Sequence, residues 1–431
     1  MEEKWGSEYE GKSENGGKSK NEGKSENRGK SKMEEKTKME EEIHVQVTDN
    51  SPSIEHILRP ISYISWLMGV GVARPRKFPK VITIIVRVLH LIVCSIHVTK
   101  AIAIINYKTT PTSNDIYTFM FYTNLVICYV SSYYYVCHGI SQYDKWPELM
   151  DTMSKLDQKI RREISINDQP IERVEALAFI AGFICCLPFV IVHVFHCHLK
   201  YPECITSFDL LFYYILAQSL INSSVFDIIV YVLYSRFQMI NKLLGQLDES
   251  FDTSWITLKI RCIRELHNGT RLLVIMLNDI HGFHLLLCSA NCFTMVLTTL
   301  LRVYIGLVKG ESVFMIIHAN ILWVLYVAQF GLMCWICTLA REESQRTGTF
   351  IYAFVLKCKN LYLNCVRNEV NDFAIQLQHR VAFTACNFFE IHNVLFTGFI
   401  AVIMAHLIIV IQFYTPPEES LDYWGALSGI L

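Results

Sequence analysis

The chain has 431 residues, of which 52% are hydrophobic and 18% charged, with a net charge of −1. A soluble globular domain carries about 25% charged residues, and here residues 1–52 alone hold 23 of the 79 charged side chains. The remainder is too apolar to be solvated on all sides, which excludes a soluble enzyme as the default and points to an all-α, polytopic membrane protein.

Residues 1–52 form a low-complexity tail. A twelve-residue unit occurs twice in tandem, Gly11 to Glu22 and Gly23 to Glu34, with two differences between the copies. Gly, Lys, Ser, Glu and Asn in this proportion bury too little apolar surface to offset the entropy of ordering, so disorder is expected. No cleavable signal peptide is expected either, and the first apolar helix would act as its own signal.

After Pro79 the chain becomes a series of apolar runs, each long enough to cross a hydrocarbon layer of ~30 Å with ~20 helical residues. They fall near 81–105, 116–138, 176–198, 210–234, 284–306, 313–338 and 390–413, seven in all. The second is the weakest, because it carries Asn124, Ser131, Ser132 and several tyrosines. Lys100 and Arg87, near the two ends of the first, read as snorkelling side chains.

Lysine and arginine alternate strictly along the connections. Residues 59–80 hold five, and the next six connections hold one, six, one, six, one and six, while none follows Phe413. Under the positive-inside rule the N-terminus is cytoplasmic and the C-terminus extracellular, the inverse of a G-protein-coupled receptor.

The basic connections are long and carry amphipathic stripes: Ile240, Leu243, Leu244 and Leu247; Leu266, Leu273, Leu277 and Ile280; Val370, Phe373, Leu377 and Val381. Such spacing predicts helices that continue from the spans into the cytosol and pack there.

The chain contains no His-Glu-x-x-His, no Gly-x-Ser-x-Gly and no phosphate-cradling Gly-rich loop, so neither catalysis nor a cofactor is expected. His193, His196 and His198 cluster at the outer end of the third span, where lining a pocket or the interface is a better reading than holding a metal. Cys334-Trp-Ile-Cys337 has redox-pair spacing but sits in an apolar helix without the surrounding βαβ pattern. Cys197 and Cys204 are the two cysteines expected outside, and their pairing stays open.

Polar and aromatic side chains gather in the predicted outward halves of the spans. Tyr122, His193, Tyr214, Gln218, Trp323 and Tyr326 are the candidate lining of an outward-opening pocket for a small molecule, because intramembrane polar groups are costly unless they face protein or water.

The last span is the most specific feature. Residues 405–413 read Ala-His-Leu-Ile-Ile-Val-Ile-Gln-Phe, preceded by Asn387-Phe-Phe-Glu-Ile-His392 at the approach to the helix. The nonapeptide resembles the C-terminal signature of the insect gustatory receptors: Thr-Tyr, five apolar residues, then Gln-Phe. Gln412 and Phe413 match it, whereas Ala405 and His406 stand in place of Thr-Tyr. Leu407 replaces the acidic residue of the sugar-receptor version, which argues against a sugar ligand.

The resemblance extends over roughly residues 55–413 and implies a tetrameric, ligand-gated, non-selective cation channel of the plasma membrane. The implied partners are a small-molecule tastant, the lipid bilayer, permeant cations and related subunits in a homo- or hetero-tetramer, with no nucleic acid. With the tail 1–52 outside it, the chain divides into a six-helix ligand-sensing region 53–389, a pore-lining helix 390–413 and an extracellular tail 414–431. Gln412 and Phe413 would form the gate, with Ile409 and His406 on the Phe413 face of the helix. Glu418, Glu419 and Asp422 would make an acidic vestibule. Two other readings stay open: an odorant-receptor-like subunit that needs a channel co-receptor, and a membrane transporter.

Overall fold

The computed structural model describes residues 54–108, 115–164, 207–247, 253–308, 313–357 and 364–412, together with residues 171, 173 and 310. The predicted third span, the N-terminal repeats and the tail 414–431 lie outside the described residues, as do His193, His196, Cys197, Cys204 and Phe413. Among the described residues the regular structure is helical apart from one hairpin of two two-residue strands.

Two short helices lead in, α1 (Ile54–Ile57) and α2 (Arg59–Leu67). Then follow α3 (Lys80–Lys108), α4 (Asp115–Ser141), α5 (Lys145–Glu163), α6 (Ser207–Gly245), α7 (Thr253–Val308), α8 (Val313–Lys357) and α9 (Asn364–Leu377). Strands β1 (Thr384–Ala385) and β2 (Phe389–Glu390) precede the final helix α10 (Asn393–Gln412). Six of the seven expected spans coincide with α3, α4, α6, α7, α8 and α10. All but α4 are apolar and long enough to cross a membrane. The reason α4 can be less apolar is visible in its packing: Asn124, Ser131 and Ser132 are buried inside the bundle instead of facing outward.

Length explains the architecture. With 39, 56 and 45 residues, helices α6, α7 and α8 run for about 58, 84 and 68 Å at 1.5 Å per residue. A bilayer accounts for only ~30 Å of that, so each projects well past the span at the end where the basic connections lie. The projecting parts converge as the amphipathic stripes predict: Ile240, Leu243, Leu244, Leu266, Leu273, Leu277, Ile280, Val370 and Phe373 are all buried. Helix α9 stops at Leu377, so Val381 reaches the same core from the segment beyond the helix.

Helix α5 joins them with Trp146, Leu149, Met150, Met153, Leu156 and Ile160 on one inward face. Val225, Phe226, Ile229, Val232, Leu233 and Phe237 of α6 continue the core upward through the bundle.

The hairpin aims the last helix. Thr384 pairs with Glu390 and Ala385 with Phe389, and the loop closes with Cys386 and Asn387 at φ 50° and 61°. Asn278 of α7 holds the incoming strand, donating from Nδ2 to the Ala382 carbonyl at 2.8 Å and accepting from the Thr384 N–H at 3.3 Å. Arg341 of α8 pairs with Glu390 at 2.9 Å. The Asn393 N–H then donates to Thr338 Oγ1 at 2.9 Å, so the first residue of α10 is tied to the side of α8.

Candidate functional site

Helix α10 is the most apolar of the candidate spans, and Ile403 is its only fully buried residue. One side docks on α7 and α8 through aromatic contacts. Phe399 lies 4.8 Å from Phe330 and 5.8 Å from Phe293, ring centre to ring centre, and Phe396 lies 6.2 Å from Phe330. The other side is bare, with Val394, Ile400, Val402, Met404, Ile408 and Ile409 exposed.

The predicted gate residues divide between these sides. Gln412 is exposed and stands half a turn around the helix from Ile403 at 100° per residue. Ile409 and Val402 lie at the border of the packed face. His406 is exposed as well, yet its ring meets Phe293 edge-on at 5.6 Å and its Nδ1 lies 2.9 Å from the Val402 carbonyl.

A second constellation is built where the lead-in segment crosses the bundle. Four successive carbonyls, beginning with the last residue of α2, each take a donor. His90 Nε2 bonds Leu67 O at 2.9 Å, Gln218 Nε2 bonds Met68 O at 2.9 Å, Arg87 Nη1 reaches Gly69 O at 3.4 Å, and Ser65 Oγ bonds Val70 O at 2.6 Å. Around them Gln218 Nε2 also donates to Tyr214 Oη at 2.7 Å, Ser132 Oγ donates to Gln218 Oε1 at 2.6 Å, and Tyr214 Oη hydrogen-bonds His90 Nδ1. The strap therefore sews α2 to α3, α4 and α6.

Such close passage needs glycines. Gly69 and Gly71 have φ of +67° and +58°, and a Cβ on either would lie 2.2 Å from His90 or Asn222 respectively. Only a residue without a side chain adopts these angles at no steric cost.

Arg87 departs from the sequence expectation. It does not snorkel: it is 1% exposed, with its guanidinium turned into the bundle. The space is supplied by Gly139, where a Cβ would sit 1.6 Å from Arg87 Nη1 and 2.1 Å from the Gly71 carbonyl.

The predicted pocket residues divide in a similar way. Tyr214 and Gln218 belong to the strap network, and Gln218 has no exposed surface. Tyr326 is buried in the bundle core, where its carbonyl accepts from Cys292 Sγ at 3.6 Å. Tyr122 is half-buried on α4 beside Phe121, and Trp323 lies on α8. Deeper polar contacts join α4 to α7, with Thr294 Oγ1 donating to Asn124 Oδ1 at 3.0 Å and Cys128 Sγ to Asn291 Oδ1 at 3.0 Å. Cys334 and Cys337 are buried free thiols of α8. Among the described residues no group of three or more His, Cys, Asp and Glu side chains has the arrangement of a metal site.

Two groups at the basic end have protonation set by burial. His267 on the projecting part of α7 is packed against Phe237 and Phe373, with Nε2 3.2 Å from Ser344 Oγ. Burial lowers its pKa to about 4. Arg74, whose guanidinium carbon lies 3.5 Å over the Tyr143 ring, is pushed below its ordinary value by burial too. The sequence carried little signal for either, because stripe spacing marks an inward position without naming its neighbours.

Apolar spans, long helices projecting at the basic end and an uncovered last helix define a multi-pass helical membrane protein. The chain belongs to the 7tm chemosensory receptor family, whose model matches residues 58–415. Its structure is similar to that of the insect olfactory receptor OR5 from Machilis hrabei in complex with eugenol, with a TM-score of 0.58 at 13% identity over 83% of this chain and 97% of that one. A second structure of the insect olfactory receptor OR5 from Machilis hrabei gives a TM-score of 0.50 at 13% identity, over the same shares of the two chains. A comparison with curated protein sequences finds no match. The resemblance carried by the last span is thus borne out at the level of the insect chemoreceptors.

Proposed function

We propose that the protein is a gustatory receptor of the plasma membrane, a ligand-gated non-selective cation channel in which four copies of α10 surround the pore. The supporting observation is the bare side of that helix. An exposed apolar surface alone suits lipid, but α10 also turns Gln412 to its bare side, half a turn from the buried Ile403. Polar side chains facing hydrocarbon are expensive, and a four-fold arrangement around a water-filled axis removes that cost. A ring of Phe413 side chains would close such a pore by dewetting, with Gln412 and Ile409 lining it when the helices spread.

The N-terminus is cytoplasmic and the C-terminus extracellular in this reading, and the projecting helices form a cytosolic anchor. The tastant pocket lies toward the outer end, lined by Tyr122, His193, Trp323 and Tyr326, with the Tyr214–Gln218 network as its floor.

Whole-cell recording from cells expressing the chain alone, against a panel of tastants, tests the reading together with a Gln412→Cys variant. A charged thiol reagent applied from outside should block the variant and spare the wild type. Insensitivity of a conducting variant would remove α10 from the pore.

The likeness to an olfactory receptor favours one second reading, a subunit that conducts only with a co-receptor. Current that appears only on co-expression with a related channel subunit would select it.

A further inference from the structure

A cavity of about 180 Å³ opens between the lead-in helices, residues 74–77 and α5, a few residues before α3 enters its span. Its wall is rich in cations: Arg59, Arg74, Arg76 and Lys77. Three carboxylates stand nearby: Glu55 and Asp151 both bind Arg76, at 3.0 and 2.7 Å, and Asp144 acts on Arg74, which leaves four cations against three anions. Arg74 is held over Tyr143, and its Nε donates to the Tyr143 carbonyl at 3.4 Å. Arg59 meets Tyr63, through Nη2 to the hydroxyl at 3.4 Å and over the ring at 5.5 Å, and has no ion pair among the described residues. Lys77 has no ion-pair partner among the described residues. Positive charge is thus left over in a pocket that also offers the Ser62 and Tyr63 hydroxyls.

The surroundings are those of a membrane edge. Trp66 stacks on Phe78 with ring centres 4.2 Å apart and planes 3° from parallel, and Trp66 Nε1 donates to Thr83 Oγ1 on α3 at 3.2 Å. Leu67 and Val81 stand exposed on the same stretch. Aromatic side chains favour the headgroup level of a bilayer, and basic clusters next to a span attract anionic lipid.

We propose that this pocket binds the phosphate of an anionic phospholipid, with Arg59, Arg74 and Lys77 on the headgroup and its acyl chains along Leu67 and Val81. A free phosphate ion would satisfy the cations but leave the apolar rim uncovered, and for that reason the lipid is the occupant.

Native mass spectrometry of the purified full-length protein tests this with dioctanoyl phosphatidylinositol 4-phosphate, dioctanoyl phosphatidylcholine and inorganic phosphate. The wild type should retain the anionic lipid in preference to phosphatidylcholine. The Arg59→Gln/Lys77→Gln pair should bind it about thirtyfold more weakly, the loss expected from two basic side chains at a membrane surface. Both side chains are exposed, so the variant should melt like the wild type. A Glu55→Gln chain should bind more tightly, because Arg76 then has one carboxylate fewer. Equal retention of both lipids, unchanged binding by the double variant, or full displacement of the lipid by equimolar inorganic phosphate would each overturn the assignment.

Discussion

Arg236 toward the basic end of α6 and Asp157 on α5 meet as a two-pronged ion pair, with Nε–Oδ1 at 2.7 Å and Nη2–Oδ2 at 2.9 Å. Both side chains are sealed from solvent, at 0% and 5% exposure. A pair this buried contributes little relative to a well-packed apolar pair, yet removing one partner takes a buried countercharge from the other, at a cost of about 3–5 kcal/mol. Asp157→Asn should therefore melt well below the wild type in detergent. Asp157→Leu combined with Arg236→Met should recover much of the loss. If the double variant melts no higher than the single one, shape and not charge dominates at this contact.

Gly139 gives a sharper test of the strap. A methyl group there meets the guanidinium of Arg87 and the carbonyl of Gly71, and the carbonyl belongs to a backbone already held on both sides. Overpacking of a tight site costs about 1–3 kcal/mol and sometimes more. Gly139→Ala should reduce the yield of monodisperse protein on size-exclusion chromatography, whereas Gly348→Ala on α8, where the nearest atom is Leu377 Cδ1 at 3.9 Å, should leave it unchanged. Equal yields would mean that the strap is free to move aside.

The comparison of Arg87 with Leu273 shows which parts of this fold the sequence announces. Leu273 recurs at helical spacing with Leu266, Leu277 and Ile280, and all four are buried as that spacing requires. Apolar run length likewise locates six of the seven expected spans on described helices, though not how far α6, α7 and α8 continue beyond them. Arg87 looks like an end-of-span snorkeller because nothing local reveals the space at Gly139, which lies 52 positions away in the chain. The turn of residues 67–71 into the bundle is hidden for the same reason. Its five basic neighbours suggest a connection in water, while its glycines gain their meaning only against His90 and Asn222. At the candidate pore the sequence identifies the helix, but which sides of it are covered depends on Phe293 and Phe330, residues on other helices.

His267 ties stability to pH. Burial lowers its pKa from 6.5 to about 4. An unfolded chain takes up a proton there as pH falls through 6.5, whereas the folded chain resists until about 4. The stabilisation is complete above the unfolded value and is lost across that window on acidification, amounting to about 3 kcal/mol at 1.36 kcal/mol per pKa unit. Melting temperatures measured at pH 7.5, 6.0 and 5.0 should fall more steeply for the wild type than for His267→Gln, whose amide can still bond Ser344. Parallel curves would mean that other groups carry the acid sensitivity.

His406 separates the two faces of α10. In the proposed channel, Val402, His406 and Ile409 share the side that leads to Phe413, and the imidazole remains exposed while leaning on Phe293. A fixed positive charge at this position would stand beside the conduction path and oppose cation flow. His406→Lys should therefore carry far less inward cation current than the wild type, whereas His406→Tyr, with a ring to set against Phe293, should conduct like it. Undiminished current through the His406→Lys channel would leave His406 as a spacer between α10 and α7, with the pore charge set elsewhere.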